Sequence, residues 1–205
     1  MPTGVAMRDA RQQLFDAAER VLLRAGPHAL TSRSVTTEAG CAKGVLHRHF
    51  ADFDDFLADL VLDRIARIGS QGAALQAAAG TGTVAGNVTG ALTELLGPVA
   101  VAIVALITFR DDLRIRLRQA RPAGVPLLSE ATAIIGSYLA RERELGRLTA
   151  DADIDSLAPM LIGTGHLLFA GREGVPPTAE HVEKVVTAAI GGVLRESAPR
   201  SRRSR

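Results

Sequence analysis

Residues 30–50 read LTSRSVTTEAGCAKGVLHRHF. Thr31 is a good helix N-cap, because its hydroxyl can accept from a backbone N–H of the first turn. Leu30 before it and Val35 after it have the spacing of a hydrophobic staple, which fixes how the chain enters the helix. Gly40 can adopt a left-handed conformation cheaply and stops that helix after about two turns. A second short helix is predicted over 42–49. Its apolar positions, Leu46 and Phe50, are four apart, so Lys43, Gly44 and His47 fall on another face. Helices this short do not stand alone. They must be clamped on a neighbour through Val35, Leu46 and Phe50, with the opposite flank left free. Two short helices joined by a glycine turn and seated on a longer one make a helix-turn-helix.

The flanking sequence supplies the longer helices. Leu14, Ala18, Val21, Leu22 and Ala25 recur at helical spacing before Gly26-Pro27 ends the first helix. Asp52 caps a fourth helix, with Asp54 and Asp55 at its positive end. Its inner stripe runs through Phe53, Phe56, Leu57, Leu60, Val61, Arg64 and Ile68. A Gly/Ala-rich stretch follows, with a hinge or helix break expected near 79–83. Further helices are predicted over roughly 84–96, 98–109, 110–120, 125–146, 154–171 and 178–196, with Pro98, Pro122, Pro126 and Pro176-Pro177 at starts or joints. The fold class expected is all-α with about nine to ten helices. A helix-turn-helix domain over 1–68 is followed by a larger helical ligand-binding and dimerisation domain over 69–196. Residues 197–205 form an Arg-rich tail, expected to be disordered.

Composition agrees. Hydrophobic residues make up 47% of the 205-residue chain and aromatics only 3%, so aliphatic side chains must fill most of the core. Cys41 is the only cysteine, so no internal disulfide is possible. No signal-peptide pattern opens the chain, and a cytoplasmic location is expected. The longest apolar run, residues 95–109, contains Gly97 and Pro98 and falls short of the ~20 residues a membrane span needs. The net charge of +2 is outweighed by the four tail arginines, so bulk basicity says little about nucleic acid. Local charge says more. Residues 28–50 carry Arg33, Lys43, Arg48 and three histidines against one acid, Glu38, and residues 52–63 then carry five aspartates.

The stretch 30–57 resembles the helix-turn-helix of TetR-type transcriptional regulators. The resemblance rests on Thr31, Ala39-Gly40, Lys43-Gly44, Leu46-His47-Arg48-His49-Phe50 and Asp52, and covers about residues 8–68 in detail. It implies binding of double-stranded DNA at a palindromic operator, as a homodimer released by a small effector. This chain departs from the family's usual tyrosine at His47, its lysine at Phe53, and its Ser or Thr at Ala42 and Val45. The tyrosine and lysine positions usually touch phosphate, so Phe53 implies weaker non-specific affinity or a compensating contact from the arginine tail.

Chemistry points the same way. Gly44 lets a backbone approach closely, Lys43 reaches phosphate or guanine, and Val45 suits a thymine methyl. Arg33 reaches the groove edge, while Thr31, Ser32, His47 and His49 can donate to phosphate oxygens. These eight residues are the candidate DNA face. By the resemblance, the dimer interface falls on the last two helices, through a stripe of Leu157, Leu161, Thr164 and Leu168 and another of Val182, Val185, Val186, Ala189 and Val193. The middle helices are expected to bind a mostly hydrophobic effector, with Thr108, Phe109 and Tyr138 as candidate orienting residues.

Other readings have weaker support. GTGTVA (80–85) follows an alanine-rich helix rather than a strand and fails as a dinucleotide fingerprint. Cys41, His47 and His49 are not spaced to converge on a metal, and no cofactor is expected. Neither G-x-S-x-G nor H-E-x-x-H occurs, so no enzyme is expected, and His166 reads as a core histidine. The alternative is a small-molecule-binding or interaction module of the same fold without selective operator binding, suggested by Phe53, Ala42 and the five aspartates.

Overall fold

A computed structural model describes residues 4–120, 124–171 and 175–195. They form ten α-helices, and among them no strand occurs. In chain order these are α1 (Gly4–Ala25), α2 (Ser32–Glu38), α3 (Gly44–His49), α4 (Phe53–Ala77), α5 (Val84–Leu95), α6 (Pro98–Phe109), α7 (Asp111–Ala120), α8 (Leu128–Glu144), α9 (Ile154–Ala170) and α10 (Ala179–Ile190). No single helix among the described residues is long and apolar enough to cross a membrane. The arginine tail lies outside the described residues.

By packing, the chain divides into two units, residues 1–68 with 96–130 and residues 69–95 with 131–205. The sequence places residues 96–130 with the C-terminal part. Packing places them with the N-terminal helices, because the apolar face of α6 (Ala100, Ile103, Val104, Ile107) is buried and α6 packs on α1.

In the first unit the predicted clamps are present. Leu14, Ala18, Val21 and Leu22 of α1 are buried, and so are Leu30, Val35, Leu46 and Phe50. The few aromatics are concentrated under the short helices. Phe15, Phe50 and Phe56 meet with ring centroids 5.0–5.9 Å apart, the Phe50–Phe56 pair edge to face. Arg11 covers this cluster, its guanidinium carbon 4.6 Å from the Phe50 ring centroid.

In the second unit α10 packs on α5 and α9. The expected break between α4 and α5 is present, and it is pinned. The buried Glu142 carboxylate accepts from the Tyr138 hydroxyl at 2.5 Å and from the Gly80 N–H at 3.3 Å. Arg147 pairs with Glu142 and donates to the Thr81 and Gly82 carbonyls. Asn87 Nδ2 donates to Thr81 O at 3.0 Å and to the Tyr138 hydroxyl at 2.9 Å. Burial, and then the hydrogen bond to Glu142, push the Tyr138 phenol up, so it stays neutral and donates.

Candidate nucleic-acid interface

The recognition segment is built from its caps. Thr31 Oγ1 accepts from the Ser34 N–H at 3.1 Å, while the Ser34 hydroxyl accepts from the Thr31 N–H at 2.9 Å, a capping box with serine in the third position. Gly40 has φ +66°, the left-handed turn that ends α2. The Cys41 N–H then donates back to Thr36 O at 3.0 Å, and Lys43 forms the N-cap of α3. With Leu46 fully enclosed and Phe50 in the aromatic cluster, α3 has one rotational setting.

That setting leaves Arg33, Lys43, Gly44, His47 and Arg48 exposed, with Val45 and His49 half-buried beside them. A Cβ built on Gly44 would meet nothing within 4 Å, so its own fold does not require glycine there. Thr31 is exposed, but its hydroxyl is engaged in the cap. Ser32 does not share the outward face, because its hydroxyl is enclosed and without a partner. Arg48 is the residue that sequence reasoning left off the face. The signals for it were its share in the local basic charge and its place between the anchors Leu46 and Phe50.

Charge pairing distinguishes this face. Among the described residues, Arg33, Lys43 and Arg48 make no ion pair, while every acid from residue 38 to 63 has one. Glu38 accepts from Arg20 and Arg24 of α1, each at 2.8 Å. Asp59 pairs with Arg11 at 2.5 Å and Asp63 with Arg67 at 2.7 Å. Asp54 is met by Arg110 at 3.3 Å, and Arg116 of α7 spans Asp52 at 3.1 Å and Asp55 at 3.5 Å. The aspartates of 52–63 are therefore neutralised from behind and do not oppose a polyanion.

Phe53 has a part in this arrangement. It stacks on Phe56 at 5.6 Å and carries the Arg110 guanidinium 5.4 Å from its ring centroid. Arg110 also donates to Leu30 O at 3.1 Å. Phe53 thus anchors the start of α4.

The pairing has a pH signature. The hydrogen bonds from Arg20 and Arg24 hold the Glu38 carboxyl below its usual 4.5. The native value lies below the unfolded one, so this contribution is complete above the unfolded value and lost as pH falls through the native one. The double variant Arg20→Gln/Arg24→Gln is expected to melt a few degrees below wild type at about pH 7 and together with it at about pH 2, as read by circular dichroism.

Residues 14–60 match the profile of the family described as "Bacterial regulatory proteins, tetR family". Over these residues the chain is similar to the tetR family. Several solved structures share the fold along most of the chain. One is a transcriptional regulator of Rhodococcus sp. Rha1, at TM-score 0.65 and 18% identity, covering 89% of this chain and 95% of that one. Another is the fatty acid degradation regulator FadR of Bacillus halodurans, at TM-score 0.65 and 17% identity, covering 89% and 98%. A third is the multidrug binding protein EbrR complexed with imidazole, at TM-score 0.54 and 22% identity, covering 94% and 97%. Identities this low establish the fold alone. No curated protein matches the sequence.

Beyond the tetR-type domain, the structure redistributes the other candidate residues. Thr108 and Phe109 end α6 in the first unit. The Thr108 hydroxyl is bonded to Val104 O, and the Phe109 ring packs on His28 at 4.0 Å. Tyr138 is fully buried in the second unit with its hydroxyl committed to Glu142 and Asn87, so it orients nothing in a cavity. The second unit holds a cavity of about 260 Å³ between α4, α5 and α8.

The predicted dimer stripes are also divided. Leu157, Leu161, Val182 and Val186 are buried within the protomer and serve its core, because the most apolar side of each helix is turned inward. Val185, Ala189, Val193 and Leu168 are half-buried, and Thr164 is exposed. The exposed side of α9 instead carries Met160, Gly163, Thr164 and Leu167 at helical i, i+3, i+4, i+7 spacing, with Leu167 74% exposed. A Cβ on Gly163 would meet nothing within 4 Å. Among the described residues no cluster of His, Cys, Asp or Glu is placed to hold a metal.

Proposed function

We propose that this chain is a ligand-responsive transcriptional repressor of the cytoplasm, not an enzyme. Its tetR-type domains bind a palindromic operator as a homodimer, and a small, mostly hydrophobic effector bound in residues 69–196 releases it. The observation that carries this reading is the unpaired trio Arg33, Lys43 and Arg48 on an exposed flank whose neighbouring acids are all neutralised. A lattice of phosphates would select that distribution, since affinity for DNA is largely a count of cations brought to phosphate. The α3 helix presents Lys43, Gly44, Val45 and His47 to base edges, with His49 and Thr31 at the phosphate margin. The reading as a module without selective DNA binding loses its main support, because the five aspartates are paired.

Dimerisation is assigned to the exposed side of α9 with Val185 and Ala189 of α10, where Gly163 admits close approach of a partner helix. Leu167→Arg places a charge on that contact and is expected to weaken the dimer at least tenfold, about 1.4 kcal/mol. Light scattering across a dilution series reads this directly, and an unchanged dimer would assign the contact elsewhere.

The test of the function is selection of bound fragments from the source genome. A recovered sequence with two inverted half-sites, bound at least about a thousandfold more tightly than random DNA, is the expected result. Recovery of no common sequence would contradict it.

A further inference from the structure

The cavity between α4, α5 and α8 has a chemical bias that narrows what can occupy it. One wall comes from α4, through Gln71, Ala74 and Leu75, and the facing wall from α5, through Gly90, Ala91 and Glu94. Asn87 of α5 donates to the O of Ala78, the residue that follows α4, at 3.4 Å, which fixes one rung between the ends of the two helices. Seven residues back along α4 from Ala78 is Gln71, and seven residues on along α5 from Asn87 is Glu94. Seven residues are close to two turns, so Gln71 and Glu94 stand at one level of the cavity.

Both groups there lack a partner. The Gln71 Oε1 is enclosed and accepts no hydrogen bond. A buried carbonyl left so is costly, and a donor from outside would relieve it. Glu94 is exposed on the open side of the cavity, where among the described residues it makes no ion pair and its carboxylate offers acceptors only. No lysine or arginine lines the cavity. Between the two ends the walls are small and apolar, and a Cβ on Gly90 would meet nothing within 4 Å. The space is small and acceptor-rich.

We propose that the cavity binds a small single-ring organic cation, its N–H donors directed at Gln71 Oε1 and the Glu94 carboxylate and its ring against Ala74, Gly90 and Ala91. This rests on the effector reading above and gives that effector a chemical class. A carboxylate or acyl ligand is disfavoured, since Glu94 would repel it and no cation would receive it. The volume of about 260 Å³ is slightly below the ~300 Å³ where drug-sized pockets begin, which suits one ring and not a long chain.

The test uses the full chain and three ligands of one shape: benzylammonium, benzyl alcohol and benzoate, titrated calorimetrically at low salt without DNA. Benzylammonium is expected to bind at least tenfold more tightly than benzyl alcohol, and benzoate to give no measurable heat. Glu94→Gln is expected to lower benzylammonium to the level of the alcohol, with an unchanged melting temperature. Gln71→Leu is expected to weaken both donors and to leave the ratio between them. Benzoate binding as tightly as benzylammonium, equal cation affinity in Glu94→Gln, or no binding of any ligand would overturn the proposal. The regulatory reading fails separately: benzylammonium that binds as expected yet leaves operator affinity unchanged would support the site and contradict its role as the effector site.

Discussion

Leu46→Ala is expected to cost about 2–5 kcal/mol and to abolish selective DNA binding. Leu46 is fully enclosed and is the only buried residue of a six-residue helix. Removing it leaves a cavity under α3 and takes away the packing that sets the helix's rotation. A helix this short has no stability of its own to fall back on. A loss of that size is a large share of a domain's ~5–15 kcal/mol, so the urea midpoint falls visibly. The control is Val45→Ala, one residue away and half-buried. It is expected to change stability by less than about 1.5 kcal/mol while altering operator preference. If Leu46→Ala melts with wild type and still reads its operator, α3 is not held as described.

The second large effect concerns charge. Lys43→Ala is expected to weaken operator binding at least tenfold with the dimer intact, and the triple variant Arg33→Ala/Lys43→Ala/Arg48→Ala to reduce it to the level of random DNA. None of the three pairs with an acid, and each is exposed, so their removal releases no buried partner and leaves the fold undisturbed. Thermal melts of the triple variant are therefore expected to match wild type within about 0.5 kcal/mol per site. By contrast, Arg110→Ala strips Asp54, Leu30 O and Phe53 of the guanidinium they share. A similar fall in DNA binding there would act through the placement of α2 and α4.

Much of this arrangement was readable in the sequence because the short helices are defined by local chemistry. Thr31, Gly40, Gly26-Pro27 and Pro98 act within a few residues of themselves, and α6 begins and ends where its proline and following polar residues put it. The anchors Leu46 and Phe50 and the free flank opposite them follow from a spacing of four. The partners of the aspartates were not readable. Arg110 and Arg116 lie more than fifty residues from Asp54 and Asp52, and no local rule links them. The acids therefore looked like a shoulder hostile to DNA, when the fold neutralises each one.

The C-terminal faces show a different limit. The most regular apolar stripe on α9 is the one the protomer itself uses, through Leu157 and Leu161. The weaker pattern of Met160, Gly163, Thr164 and Leu167 is what stays outside. Periodicity identifies a buried face and does not say whether the same chain buries it. Tyr138 among the candidate effector residues shows a related limit. Tyr138 was chosen for its hydroxyl, and that hydroxyl is consumed by Glu142, one turn on along α8, and by Asn87, fifty-one residues away, which no spacing connects to it.

The most direct measurement is the salt dependence of affinity for the selected duplex, by fluorescence anisotropy, in wild type and in the triple variant. Every cation withdrawn from a phosphate is expected to lower the slope of log K against log salt by about 0.9, so removing three from each of two subunits lowers it by up to about 5. A clear fall with an unchanged melting temperature is the predicted result. Equal slopes would show that the exposed flank of α2 and α3 does not meet DNA.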